Sequence, residues 1–219
     1  MRNPLIYFNH RFVVVNFVIF ILLGCYPNNI YSFNLLEDTD EIDVWDLTFE
    51  ESLIYPSVPT KISNKIKQNI SIEYFFLKKE GFNVKLVRND DVILISIPID
   101  NLFKANSNEK LRSSGERYLN SLLRYIRIKE MYRMLFCVHH DNTLDEIITE
   151  NITNERVLTL VDWMILKNNN GKNIVPYSMG SDYPVALNST KEGRYKNRRL
   201  DIYILPGKTM IDLALDNKL

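Results

Sequence analysis

Leu135-Phe136-Cys137-Val138-His139-His140-Asp141-Asn142-Thr143 reads as an apolar strand that runs out into a polar loop. Met134 to His139 is almost wholly apolar, the composition of a strand covered on both faces. Further on, Ile152-Thr153-Asn154-Glu155-Arg156-Val157 places a threonine suited to N-cap a helix before Val157, Leu160, Val161 and Met164, which share one helical face. Ile174 to Met179 forms another strand, which Pro176 confines to a sheet edge or a short length. Gly180 to Ser189 is a loop, Thr190 caps a short helix carrying Arg194, and Leu200, Ile202 and Ile204 alternate in a last, half-buried strand.

Working outward, Val84 and Leu86 alternate with polar neighbours, Asn89-Asp90-Asp91 makes a turn, and Val92 to Ile97 is rich in β-branched residues. Ser107 is placed to cap a helix whose face is Leu111, Leu119, Leu122, Leu123 and Ile126. Thr209 is placed to cap an amphipathic tail through Ile211, Leu213 and Ala214. Strands alternating with helices predict an α+β fold, a mixed β-sheet with helices packed on it, in the order β-α-β-α-β-(α)-β.

Residues 33–80 read as an acidic linker and N-terminal extension. Acids crowd 37–51, Ile62, Ile66 and Ile70 fall at helical spacing, and Ile72, Tyr74 and Phe76 alternate as in a strand. Residues 1–32 read as a secretory signal, with Arg2 and Arg11 ahead of an apolar run from Phe12 to Leu23. That run is shorter than the roughly 20 residues needed to span a bilayer. Leu22-Leu23-Gly24-Cys25 resembles the lipobox at which lipoproteins are cut and acylated, which would anchor the chain through Cys25; cleavage near Ser32 is the competing reading. The main domain is expected over 81–205, with the amphipathic tail over 206–219.

Charge and cysteine usage exclude several classes. Lysines and arginines balance aspartates and glutamates at 27 each, so no bulk field points to nucleic acid. Two cysteines, Cys25 and Cys137, cannot make a disulfide framework. His139 and His140 fall on opposite faces of a strand and lack a third ligand at recognisable spacing, so no metal is expected. Ser178 and Ser181 have no base beside them and no Gly-rich phosphate loop exists, so no enzyme and no cofactor is expected.

Asp141 at a strand end and Arg156 in the first turn of a helix suggest a binding site. The helix dipole disfavours a cation in the first turn by ~0.3–1 kcal/mol, so an arginine there is better explained as receiving a carboxylate. Asp141 could take an ammonium group, and the two together suit a zwitterionic amino-acid end. The bland alternative is a salt bridge between the two.

The same residues resemble the C-terminal domain of the outer membrane protein A family, shared by peptidoglycan-associated lipoproteins and flagellar stator proteins. The family's Thr-Asp-Asn-Thr-Gly loop is similar to His140-Asp141-Asn142-Thr143-Leu144, and its Leu-Ser-x-x-Arg-Ala helix start to Ile152-Thr153-Asn154-Glu155-Arg156-Val157. Its tail, with Gly, Pro, Asn, Gly-Arg and Asn-Arg-Arg at fixed spacing, is matched nearly throughout from Gly180 to Ile202, and its Leu-Phe-x-x-x-Ser by Leu102 to Ser107. The resemblance covers about Val84 to Ile204. Departures are Leu144 for the loop glycine, His140 for threonine, Thr149 for asparagine and Lys104 for an acid.

This resemblance implies a non-catalytic protein of the cell envelope, on the periplasmic side of the outer membrane, that binds peptidoglycan. It implies that Asp141 and Arg156 hold the free end of diaminopimelate in the stem peptide, with Arg198, Thr143 and Asn142 as further contacts. A lipid anchor and envelope protein partners would complete the tether. The second reading keeps the fold but makes it a protein-interaction module of an envelope complex, with its ligand site eroded.

Overall fold

A computed structural model describes residues 43–168 and 171–219. The expected signal segment, Cys25 and the acids between 37 and 41 lie outside the described residues. Residues 42–219 form one unit. Among the described residues no helix is long and apolar enough to cross a membrane.

Five strands make one mixed sheet: β1 (Val84–Val87), β2 (Val92–Pro98), β3 (Tyr132–His139), β4 (Ile174–Ser178) and β5 (Arg199–Pro206), in the order β1-β2-β5-β3-β4. Every neighbouring pair is antiparallel except β3 and β4, which are parallel. The hairpin between β1 and β2 turns through Arg88, Asn89 and Asp90, all at positive φ, where asparagine and aspartate are tolerated best. Pro176 sits in β4 at the sheet edge, where its missing N–H costs no ladder bond.

The period-2 pattern gives the sheet two apolar faces. One face carries Ile93, Ile95, Met134, Phe136, Val138, Ile202 and Ile204, all buried in the main core. Helices α2 (Ser63–Lys79), α4 (Ser113–Leu122), α6 (Glu146–Asn168) and α8 (Lys208–Leu215) supply buried residues to this same core. The region read as an extension therefore contributes a 17-residue helix, with Ile66, Ile70 and Leu77 on its buried side. The strand-like alternation of Ile72, Tyr74 and Phe76 lies inside this helix; Ile72 and Phe76 are exposed on it. Leu111 precedes α4 and bridges Phe103 instead of joining the helical face.

The other face carries Val92, Leu135, Cys137, Val175 and Leu205. It is closed by α1 (Phe49–Ile54), through Phe49 and Leu53. The Phe49 ring meets Tyr177 and Tyr203 edge-on, each at 5.5 Å. A capping box between Thr48 and Glu51 starts this helix. Its far end is held by arginines from the sheet: Arg133 donates to the carbonyl of Tyr55 at 2.7 Å and Arg88 to that of Leu53 at 2.7 Å. Cations on the last carbonyls suit the dipole and satisfy orphan acceptors.

Two expected caps are corrected. Ser107 does not start α4; its hydroxyl accepts from the Lys110 N–H and closes a turn five residues earlier in the chain than the helix end of that loop. Thr209 does not cap α8, which Gly207 precedes; its hydroxyl donates to the Lys129 carbonyl.

Candidate functional site

The expected helix start at Thr153 is also corrected. Helix α6 begins at Glu146, and Asp145 caps it by accepting from the Ile147 N–H at 3.0 Å. Thr153 lies inside the helix, where its hydroxyl bonds back to the Thr149 carbonyl at 2.9 Å. It also meets the Ser178 hydroxyl at 2.6 Å and thereby docks the helix on β4. Arg156 is ten residues beyond Glu146, about 15 Å along the axis. The dipole argument for a carboxylate at Arg156 therefore does not apply, and the free N–H groups of a helix tip are out of its reach.

The structure offers a better argument for the same residue. Arg156 Nε donates to Asn108 Oδ1 at 2.9 Å, and the guanidinium lies over the Phe103 ring, 5.7 Å from its centre. Its Nη1 is buried and has no hydrogen-bond partner among the described residues. Burial disfavours its charge, nearby Asp100 favours it, and Arg198 opposes it; the net effect lowers its pKa. A buried cationic N–H left unpaired costs stability, so Arg156 is held short of an acceptor.

Asp141 is in the opposite condition. Its side chain is 2% exposed. One carboxylate oxygen accepts from the Thr143 N–H at 3.0 Å and from the Thr143 hydroxyl; the other accepts from Arg198 Nη1 at 2.5 Å. Burial works to raise its pKa, but the bonds from Thr143 and Arg198 outweigh this and hold it below the ordinary carboxylate value. An ammonium ion could reach Asp141 only by displacing Arg198. Asn142 is exposed on the same loop.

Arg198 stands between two acids. Its Nη1 binds Asp141, and its Nη2 lies 3.9 Å from Asp100 in α3 (Ile99–Leu102). The structure thus brings together Asp141, Thr143, Arg198 and, through the field it shares with Arg198 and Asp100, Arg156. Asp100 and Asn108 escaped sequence reasoning. Asp100 lies in a one-turn helix and Asn108 in a loop, both too short to show periodicity, and only the fold carries them to α6 and the start of β5.

The remaining tail residues build the frame. Thr190 caps α7 (Lys191–Asn197) as expected, accepting from the Gly193 N–H at 3.0 Å. A Cβ at Gly193 would lie 1.9 Å from the Leu187 carbonyl oxygen, so only glycine lets the loop pass. Buried Asn197 accepts from the N–H groups of Val185 and Ala186 and donates to the Ala186 carbonyl and to Asn188, and Arg194 donates to the Asn188 carbonyl.

Arg199 turns away from the site, to the other face of the sheet. It binds Asp201 through Nε at 2.8 Å, and the Ser96 hydroxyl donates to the same carboxylate at 2.6 Å. His139 lies 3.4 Å from Asp201, with its other ring nitrogen 3.3 Å from the Asp182 carbonyl. Burial and Arg199 press the His139 pKa down to about 4. His140 meets its own neighbour's carbonyl, at Asp141, so the two histidines share no partner.

The fold and the motif residues are similar to those of OmpA-like C-terminal domains. No model of a protein family matches the sequence. The chain is similar to "Probable lipoprotein YiaD" of Escherichia coli K12, at 23% identity over 129 residues, covering 59% of this chain and 58% of that protein. It is 36% identical over 64 residues to "Peptidoglycan-binding protein ArfA" of Mycobacterium tuberculosis H37Rv, covering 29% of this chain and 20% of that one. The chain thus spans little more than half of one curated relative and a fifth of the other. Among solved structures, a putative MotB-like protein from Desulfovibrio vulgaris superposes with a TM-score of 0.56 at 17% identity, over 65% of this chain and 94% of that one.

Proposed function

We propose that this protein binds peptidoglycan without altering it and ties an envelope structure to the cell wall. The carrying observation is Arg156, whose buried Nη1 has no partner while Arg198, 28% exposed, presents a second guanidinium nearby. Two guanidiniums near enough for each to oppose the other's charge suit a carboxylate, which accepts bidentate bonds that neither finds within the protein. The free carboxylate of diaminopimelate in a stem peptide is such a group. Asp141, Asn142 and Thr143 form the loop beside it, with Asp141 fixing Arg198.

Three things support this reading: the shared motif, the name of ArfA as a peptidoglycan-binding protein, and the name of the E. coli relative as a probable lipoprotein. The last also supports acylation at Cys25. Pelleting with purified diaminopimelate-containing sacculi tests it. The unaltered chain is expected to sediment with them, and the double variant Asp141→Ala, Arg156→Ala to stay in the supernatant. Sedimentation of the double variant at the original level would remove the site from consideration. Failure of the unaltered chain to sediment would favour an interaction module instead.

A further inference from the structure

Helix α2 buries Ile66, Ile70 and Leu77 in the main core, yet it carries a second apolar stripe on its outer side. Ile72, Phe75, Phe76 and Lys79 recur at i, i+3, i+4 and i+7, which puts them together on the side away from the buried residues. Ile72 is 67% exposed, Phe75 62% and Phe76 36%. Large apolar side chains scattered singly over a surface are ordinary; three side by side on one helix face mark an interaction surface.

The stripe is flanked by cations. Arg124 of α5 (Arg124–Arg127) stacks on the Phe76 ring, 4.1 Å from its centre, and Lys78 lies over the Tyr74 ring at 5.6 Å. Arg127 is three residues on from Arg124 and so shares its side of that turn. Among the described residues no acid pairs with Lys78, Lys79 or Arg127. The acids at hand are engaged elsewhere: Glu73 accepts from Arg124 at 3.2 Å and from the Tyr125 hydroxyl at 2.9 Å, and Glu80 lines a cleft with Phe82 and Arg117.

We infer that the outer face of α2 lies on an anionic phospholipid surface, with Ile72, Phe75 and Phe76 entering the boundary between headgroups and acyl chains and Lys78, Lys79, Arg124 and Arg127 meeting lipid phosphates. Charge decides between occupants. A second copy would set the stripe against itself across a twofold axis and bring the cations against their own images. An anionic bilayer answers both halves of the face at once: apolar side chains go in while lysine and arginine heads stay among the headgroups. A helix ridge is also convex, and a fluid bilayer conforms to it without fixed shape complementarity. The face is separate from Arg156 and Arg198, so the inference does not rest on peptidoglycan binding.

The test is flotation of the full chain with vesicles of phosphatidylcholine, with and without phosphatidylglycerol. The unaltered chain should bind the anionic vesicles better than the neutral ones, and less well in about 1 M salt, where screening is short-ranged. The double variant Ile72→Ser, Phe75→Ser should bind the anionic vesicles roughly tenfold less well. Lys78→Glu with Lys79→Glu should lose about tenfold as well. All four positions are exposed, so circular dichroism should show the fold unchanged. The indole placed by Phe75→Trp should be quenched by phospholipid brominated along its acyl chains, above any quenching of the native Trp45 and Trp163. Binding through another part of the chain would not produce that signal. The inference is overturned if both double variants float as the unaltered chain does, or if the added indole is not quenched. A dimer of the unaltered chain that Ile72→Ser, Phe75→Ser dissolves would give the face to a second copy and overturn it too.

Discussion

Arg198 and Arg199 are adjacent in sequence, yet alternation at the start of β5 sends them into opposite surroundings. Arg199 enters a closed network in which Asp201 and the carbonyls of Tyr183 and Asn197 meet its charge, while Ser96 and His139 hold Asp201. Arg198 binds Asp141 with one nitrogen and leaves the other facing an exposed acid at a distance. The first arrangement is complete and needs nothing from outside. The second, with Arg156 near it, is incomplete: each guanidinium is held by one hydrogen bond, to Asp141 and to Asn108, while Arg156 Nη1 has no acceptor among the described residues. Neither burial nor an unmet hydrogen bond alone separates a structural charge from a binding one, since Arg88 and Arg133 behind α1 also keep a buried nitrogen without a partner among the described residues; what sets Arg156 apart is the partly exposed Arg198 near it.

The sharpest break of this contrast is Asp201→Asn. It strands Arg199 in a buried place, and unfolding in denaturant should show a loss of roughly 3–5 kcal/mol. Sacculus binding per folded molecule should be unchanged. The converse is Arg156→Met, which keeps the packing over Phe103 but removes the charge. Its unfolding free energy should move by no more than about 1 kcal/mol, because one hydrogen bond, from Nε to Asn108, is lost together with a buried Nη1 that had no partner. Sacculus binding should nevertheless drop at least tenfold, about 1.4 kcal/mol. A large stability loss in this variant would show that Arg156 belongs with Arg199 after all.

A smaller effect separates the two regions by pH. The His139 pKa falls from 6.5 to about 4 on folding, so the unfolded chain binds more protons between those values and stability should decline as pH drops through that window. The Asp141 pKa is also lowered, from 3.8, so its stabilisation is present above that value and is lost as pH falls below it. Denaturant melts from pH 7 to pH 2 should therefore show two slopes. His139→Gln should flatten the upper one and Asp141→Asn the lower. A single slope unaffected by either variant would contradict the assignment.

Much of this was legible from the residues. The β-branched run Val92 to Ile97 and the alternation of Leu200 to Ile204 gave the strands, and Pro176 confined β4 to an edge or a short length. The loop of Asp141 and Thr143 and the tail residue Arg198, singled out by the family resemblance, lie together, and the tail's other fixed residues, Gly193 and Asn197, shape the loop before β5. Thr153 misled because a hydroxyl that caps a helix and one that bonds back to the preceding turn occur in the same residue types. The better signal, Asp145 followed by Glu146, was available. In α2 the isoleucines spaced by four were right, and the competing alternation came from residues on the exposed side. Asp100 and Asn108 could not be found, since neither pattern nor spacing reports which short segments the fold brings together.

The recognisable motif and the self-sufficient folding unit are different lengths of chain. A fragment starting at residue 81 would keep every signature residue, yet it would strip off α1 and lay bare the side of the sheet that Phe49 and Leu53 shield. Cys137 belongs to that apolar cluster, and burial there pushes its thiol pKa well up and keeps it unreactive. Shortening the protein to its family likeness would turn an inert sulfur into a handle for oxidation and a quiet surface into an adhesive one.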